Sequence, residues 1–427
     1  MYQPTNLPSG LGLITAPIDG AKTTAVLLLV ATGSKYESRA QNGLSHFLEH
    51  MFFKGTTKRP TALALSSELD ALGAEYNAFT SKEYTGYWIK VAGNEAPRAL
   101  EIVGDMLSDP LLSEEEIARE KGVIIEEINM YLDNPMWYIE DVWEELLYGD
   151  TPAGRPTIGI KDNIKSWTRA DFLDYYSRQY GAKTSYLIVA GQIPANLTEL
   201  TNQHFGNLKN GAWQEKLAVS ETQTLPALKL FAKSTDQAHL ALGVRSQAYG
   251  HADEFILKII SLLLGGSMSS RLFINLRERN GLAYYVRTSQ ESYTDCGYLV
   301  TNAGVPVDKL TEAITIIINE YQRLKTELVS DEELNKVKSM LAGKLPLTLE
   351  GADDVAQWYG RQLILLKQQN KSGEPALTPE EFIAKIQAIS AADIQRVAQE
   401  IFTDAKLNLA IISPETDEAK FRDLLKL

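Results

Sequence analysis

Apolar residues follow two rhythms along the chain. Short runs at residues 25–31, 85–91, 185–190, 239–244, 297–301 and 407–412 are rich in Val, Leu, Ile and Tyr and predict strands. Residues 95–107 and 307–324 repeat their apolar positions every three to four residues and predict helices with one buried stripe. Strands joined by hairpins, with long helices between them, suit an α+β architecture.

The pattern then repeats. Ser113-Glu-Glu-Glu-Ile is echoed by Ser330-Asp-Glu-Glu-Leu, 217 residues later. Thr168-Arg-Ala-Asp-Phe is echoed by Ser390-Ala-Ala-Asp-Ile, 222 residues later. All four read as capped helix starts, with acidic side chains facing the helix dipole. One loop insertion accounts for the difference between the two offsets. The chain therefore divides into two similar α+β domains from an internal duplication, expected at residues 1–212 and 222–427. Each is expected to hold a mainly antiparallel sheet with helices packed on one face. Residues 210–225, where Gly, Gln, Glu, Ser and Thr interrupt the periodicity, are the expected linker.

Composition narrows the function. The 427 residues are 44% hydrophobic and 23% charged, so the chain is neither disordered nor fibrous. The net charge of −13 repels phosphate backbones and argues against nucleic acid as a partner, while it favours basic peptides. The single cysteine, Cys296, has no partner for an internal disulfide, which fits a reducing compartment. No signal pattern opens the sequence, and the run at 25–31 is well short of the roughly 20 residues of a membrane span. A cytoplasmic protein without a membrane segment is expected.

The chemistry-bearing segment is Gly43-Leu-Ser-His46-Phe-Leu-Glu49-His50-Met. His46 and His50 are four apart, so a helix puts both imidazoles on one face, in reach of one metal ion. Glu49 lies on the same side and can take a proton from water without being a ligand. This is the reverse of the His-Glu-x-x-His zinc helix, and the inverted order is itself a peptidase signature. Two of the chain's five histidines fall within this window, whereas His204, His239 and His251 stand alone. A catalytic zinc site needs a third protein ligand. An acidic helix around residues 116–130 offers Glu120 and Glu127, seven apart and on one face, with Glu126 rotated about 100° away.

These residues resemble the inverzincin metallopeptidases, the pitrilysin and insulinase type. Gly33-Ser34, Tyr36-Glu37, Phe53-Lys54-Gly55-Thr56, Asn77-Ala78-Phe79-Thr80 and Glu120-Lys121 with Glu126-Glu127 all look like that family, as does the stretch from Gly265 to Tyr284. The resemblance implies Zn2+, one per chain, held by His46, His50 and Glu127, with Glu49 as general base. It implies that Glu120 orients a ligand histidine and that Asn77, Ala78, Phe79 and Thr80 offer a strand edge to an extended peptide. It also implies that Arg277 and Tyr284, from the half without a metal motif, contact substrate near the scissile bond. The implied function is zinc-dependent endopeptidase activity on extended or unfolded peptides inside a closed chamber. The alternative is an inactive member acting as a scaffold or partner subunit, a fate in which metal ligands are expected to be lost.

Small members of this type resemble processing peptidases, in which two chains close on each other. A linker of about 15 residues spans roughly 20 Å as a flexible coil. A homodimer, or a heterodimer with a related chain, is the expected assembly.

Overall fold

The strand Thr23–Val30 is apolar at every position from 25 on and has no exposed position, so both of its sides must be covered. The computed structural model, which describes residues 2–427, shows how. In the first half of the sequence the strands are β1 (Gln3–Asn6), β2 (Gly12–Pro17), β3 (Thr23–Val30), β4 (Glu75–Thr80), β5 (Thr85–Ala92) and β6 (Ser185–Gly191). The helices there are α1 (Leu44–Met51), α2 (Ala62–Ala71), α3 (Ala96–Ser108), α4 (Glu114–Asp133), α5 (Pro135–Tyr148), α6 (Lys161–Ser166), α7 (Arg169–Gln179) and α8 (Leu197–Phe205). The second half carries β7 (Ala227–Ala232), β8 (Gln237–Ser246), β9 (Tyr285–Ser292), β10 (Gly297–Pro306) and β11 (Leu407–Ser413). Its helices are α9 (Glu254–Gly265), α10 (Leu310–Thr326), α11 (Asp331–Thr348), α12 (Ala352–Gln368), α13 (Pro379–Ala388), α14 (Ala391–Ile401) and α15 (Ala419–Arg422).

The duplication is plain in the sheets. One runs β1-β2-β6-β3-β5-β4 and the other β7-β11-β8-β10-β9. Leaving out β1, the two orders are the same. In each, one parallel pair (β2 with β6, β7 with β11) adjoins antiparallel pairs. The expected capped starts are present. Ser113 and Ser330 each accept the backbone N–H of the residue three positions on, and Thr168 with Asp171 and Ser390 with Asp393 form capping boxes. All six strands expected from the apolar pattern form. Five strands lack that signal, because β1, β2, β4, β7 and β9 are short or half-exposed.

The two compact units are not the two halves of the sequence. The first comprises residues 1–129, 155–217 and 346–378, and the second residues 130–154, 218–345 and 379–427. These units do not follow the boundaries expected at 212 and 222, since each includes a segment from the other half. In the first unit α12 lies on the β3–β6 face, where Gly360 admits the side chains of Leu29 and Ile188. In the second, Ile139, Val142 and Trp143 of α5 pack with Ala241, Val300, Ala410 and Ile412. The alternate residues Leu240, Leu242, Leu299, Leu409 and Ile411 pack into the larger cluster with α9, α10 and α14. Helices thus cover both faces of the sheet, not the single face expected. A strand apolar at every position must be buried on both sides, and the second cover comes from a distant stretch of chain.

Residues 207–226 form no regular element. Within the first unit, Trp213 Nε1 donates to the Ala31 carbonyl at 3.3 Å and Lys216 Nζ reaches Glu83 at 2.8 Å. Within the second, Gln223 Nε2 donates to the Leu407 carbonyl at 3.0 Å. No helix among the described residues is long and apolar enough to cross a membrane.

Candidate metal centre

α1 starts where Gly43 turns the chain at φ +107°, a region open to glycine. Leu44, Phe47, Leu48 and Met51 are buried along one stripe, and Phe47 packs edge-on against Phe172 of α7 with ring centroids 4.7 Å apart. This packing fixes the rotation of α1. It leaves His46, Glu49 and His50 half-buried on the opposite side. On α4, Ile117, Ile124 and Ile128 form the buried stripe, with Glu120 buried among them and Glu127 half-buried.

The two helices bring three donors together. Glu127 Oε2 lies 3.8 Å from His46 Nε2 and 3.7 Å from His50 Nε2. The three ligand atoms all fall within 4.8 Å of one another. Four-coordinate zinc with donors at about 2.1 Å spaces them by about 3.4 Å, close to these separations. His50 Nδ1 is 2.9 Å from Glu120 Oε1, and Lys54 Nζ is 2.6 Å from the other oxygen, Glu120 Oε2. With its Nδ1–H given to Glu120, His50 keeps the Nε2 lone pair facing the cluster. His46 Nδ1 is buried and has no hydrogen-bond partner among the described residues, while Nε2 faces the cluster. Two imidazoles and a carboxylate are a donor set that suits zinc. Glu126, the neighbouring carboxylate, is exposed and accepts from Asn129 Nδ2 at 3.2 Å, outside the cluster.

Glu49 stands beside the cluster without joining it. Thr80 Oγ1 of β4 donates to Glu49 Oε2 at 2.6 Å. Burial raises the Glu49 carboxyl above its ordinary value, opposed by the Thr80 hydrogen bond. Burial also drives the His46 imidazole down to about 3, with the His50 charge acting in the same sense. At His50, burial is outweighed by Glu120, Glu127 and Glu49, and its proton affinity rises. Burial raises Glu127 as well. Glu120 falls below the usual carboxylate range, because His50 and Lys54 overcome the cost of its burial.

Asn77, Ala78, Phe79 and Thr80 all lie on β4, the outermost strand of its sheet. The Ala78 N–H turns to the Asn77 side chain at 2.9 Å. Thr80, expected only as part of a peptide edge, has its hydroxyl committed to Glu49. In the second unit, Arg277 sits in a π-helical stretch, Phe273–Arg279, with its guanidinium 5.1 Å from the centre of the Phe273 ring. Tyr284 precedes β9 and is 73% exposed. Sequence reasoning missed the Lys54 and Thr80 contacts. No spacing rule links a residue on one element to a carboxylate on another.

The motif and the duplicated sheets agree with comparison to known proteins. Residues 14–161 match the family model for insulinase, peptidase family M16, and residues 166–341 match that for the M16 inactive domain. The chain belongs to peptidase family M16. Among its relatives in the family, an uncharacterized zinc protease of Streptomyces coelicolor is 30% identical over 98% of this chain and 91% of its own length. The uncharacterized zinc protease YmxG of Bacillus subtilis is 32% identical over 95% of this chain and 97% of its own. Among solved structures, a protease from Helicobacter pylori superposes with a TM-score of 0.87 at 25% identity, covering 97% of this chain and all 100% of that one. An M16 inactive domain from Pseudomonas fluorescens gives the same TM-score of 0.87 at 18% identity, covering 97% of this chain and 98% of that one, and shares the fold.

Proposed function

We propose that this M16 chain is a zinc-dependent endopeptidase acting on extended or unfolded peptides. The observation that carries the reading is the convergence of His46, His50 and Glu127 beside a Glu49 held in place by Thr80. One zinc per chain would be held by His46, His50 and Glu127. Zinc bound there supplies a Lewis acid that acidifies water and polarises a peptide carbonyl. Glu49 takes the proton from the attacking water and returns it to the leaving amine, which its burial and raised proton affinity favour. Glu120 holds His50 in the tautomer that leaves Nε2 free.

The outer edge of β4 supports backbone pairing with an extended peptide, a mode that reads conformation more than side chains. Arg277 and Tyr284 are proposed as further contacts to the peptide, supported by their place in the family resemblance. The net charge of −13 favours basic segments. A homodimer is the proposed assembly.

The test is digestion of a peptide mixture by wild type and by Glu49→Gln, with and without a chelator, read by mass spectrometry. The wild type should cut peptides internally and lose activity with chelator, and Glu49→Gln should leave peptides intact while holding zinc. A zinc-loaded wild type that cuts nothing would return the chain to the scaffold reading.

A further inference from the structure

We propose that Glu37 is the positioning residue of the metal helix: its buried carboxylate sets the first turn of α1 and so the aim of both histidines. The proposal rests on the metal site at His46, His50 and Glu127.

An α-helix begins with four backbone N–H groups that have no partner within it. Normally a side chain at the N-cap takes one of them. Here the N-cap is Gly43, which has no side chain to offer. None would fit, because a Cβ on Gly43 would come within 2.8 Å of the Gly159 Cα. The cap is supplied from upstream instead. Glu37 Oε2 accepts the Gly43 N–H at 2.7 Å and Glu37 Oε1 accepts the Ser45 N–H at 2.6 Å. Oε2 also accepts from Asn42 Nδ2 at 3.3 Å, and the same Asn42 amide reaches the Pro156 carbonyl at 3.0 Å. The Ser45 hydroxyl is 2.7 Å from the Tyr175 hydroxyl of α7. The first turn is thus held from both sides, by a carboxylate through its N–H groups and by a phenol through its side chain.

A residue that serves only the fold need not be a carboxylate. Glu37 is 1% exposed, and a buried ionisable group is costly. Burial pushes its carboxyl up to about 7 despite the hydrogen bonds. What the carboxylate alone offers is two acceptor oxygens at one spacing, with a charge favoured at a helix N-terminus. α1 has only eight residues, too few to hold its own geometry in isolation. Ser45 directly precedes His46. A tilt of the first turn therefore moves His46 Nε2 and, one turn on, His50 Nε2.

Two variants separate aim from stability. Glu37→Gln keeps the volume but turns an amide NH2 toward N–H donors, and Glu37→Asp keeps the charge but loses reach. Zinc affinity of the folded full chain, measured by competition with a chromophoric chelator, should fall roughly 10- to 100-fold in both. Near-wild-type zinc affinity in either folded variant overturns the proposal. Should neither variant fold, hydrogen exchange of the wild type still decides. The Gly43 and Ser45 amides should exchange as slowly as those of β3, and exchange at loop rates overturns it. A wild type that binds no zinc would sink the metal reading itself, which these exchange rates would not.

Discussion

The hydroxyl of Thr80 and the carboxylate of Glu49 meet at 2.6 Å, joining the outermost strand of a sheet to the helix that carries both histidines. A group that must take a proton along one line benefits from a neighbour that fixes its rotamer. Thr80→Val removes that donor at nearly constant volume. It should lower kcat on peptides by about tenfold with KM little changed, and Thr80→Ser should restore most of it. A raised KM at unchanged kcat would instead make Thr80 a substrate contact.

The proposed third ligand, Glu127, has a carboxylate neighbour in Glu126. Elemental analysis should find zinc retained in Glu126→Gln and largely lost in Glu127→Gln, His46→Ala and His50→Ala. Full zinc in Glu127→Gln would remove that residue from the ligand set.

Lys54 reaches the proposed metal site at two removes, through Glu120 and His50. Lys54→Met leaves the Glu120 charge half-compensated in a buried position. Zinc affinity should weaken roughly tenfold, the low end for groups that orient a ligand. An unchanged affinity would mean that the surrounding structure holds Glu120 without its lysine.

The metal-free protein should carry an acid weakness at His46. Its folded value, about 3, lies below the ordinary 6.5. The unfolded chain therefore binds the proton first as pH falls. Stability from this group is full above about 6.5 and drains away down to about 3, in total roughly 5 kcal/mol at about 1.36 kcal/mol per unit. Glu37 works in the opposite sense between 4.5 and about 7, so the two must be separated by difference. In chelator, denaturant titrations should show the wild type losing stability relative to His46→Gln as pH drops below about 6.5. Parallel curves would place the imidazole in contact with water.

The homodimer proposal makes its own demand. Arg277→Ala/Tyr284→Phe and Glu49→Gln chains should each be inactive alone. If sites are shared between chains, mixed dimers regain turnover. Mixed dimers that form without turnover would assign all these residues to one chain.

Some of this was legible in order along the chain. His46, Glu49 and His50 share one face of any helix that forms there, because that depends only on 3.6 residues per turn. The caps at Ser113, Thr168, Ser330 and Ser390 and the six apolar strands rest on equally local rules, and the duplication is a comparison of the chain with itself. Other features only the tertiary structure decided. An apolar stripe on α5 or α12 says that the helix is buried but not against which sheet, and each crosses to the compact unit of the other half. The reach of Glu37 to Gly43 and Ser45, of Lys54 to Glu120 and of Thr80 to Glu49 has no spacing rule behind it. Such contacts are chosen by which elements pack together, and hydrophobic burial, which drives that packing, rewards area without direction.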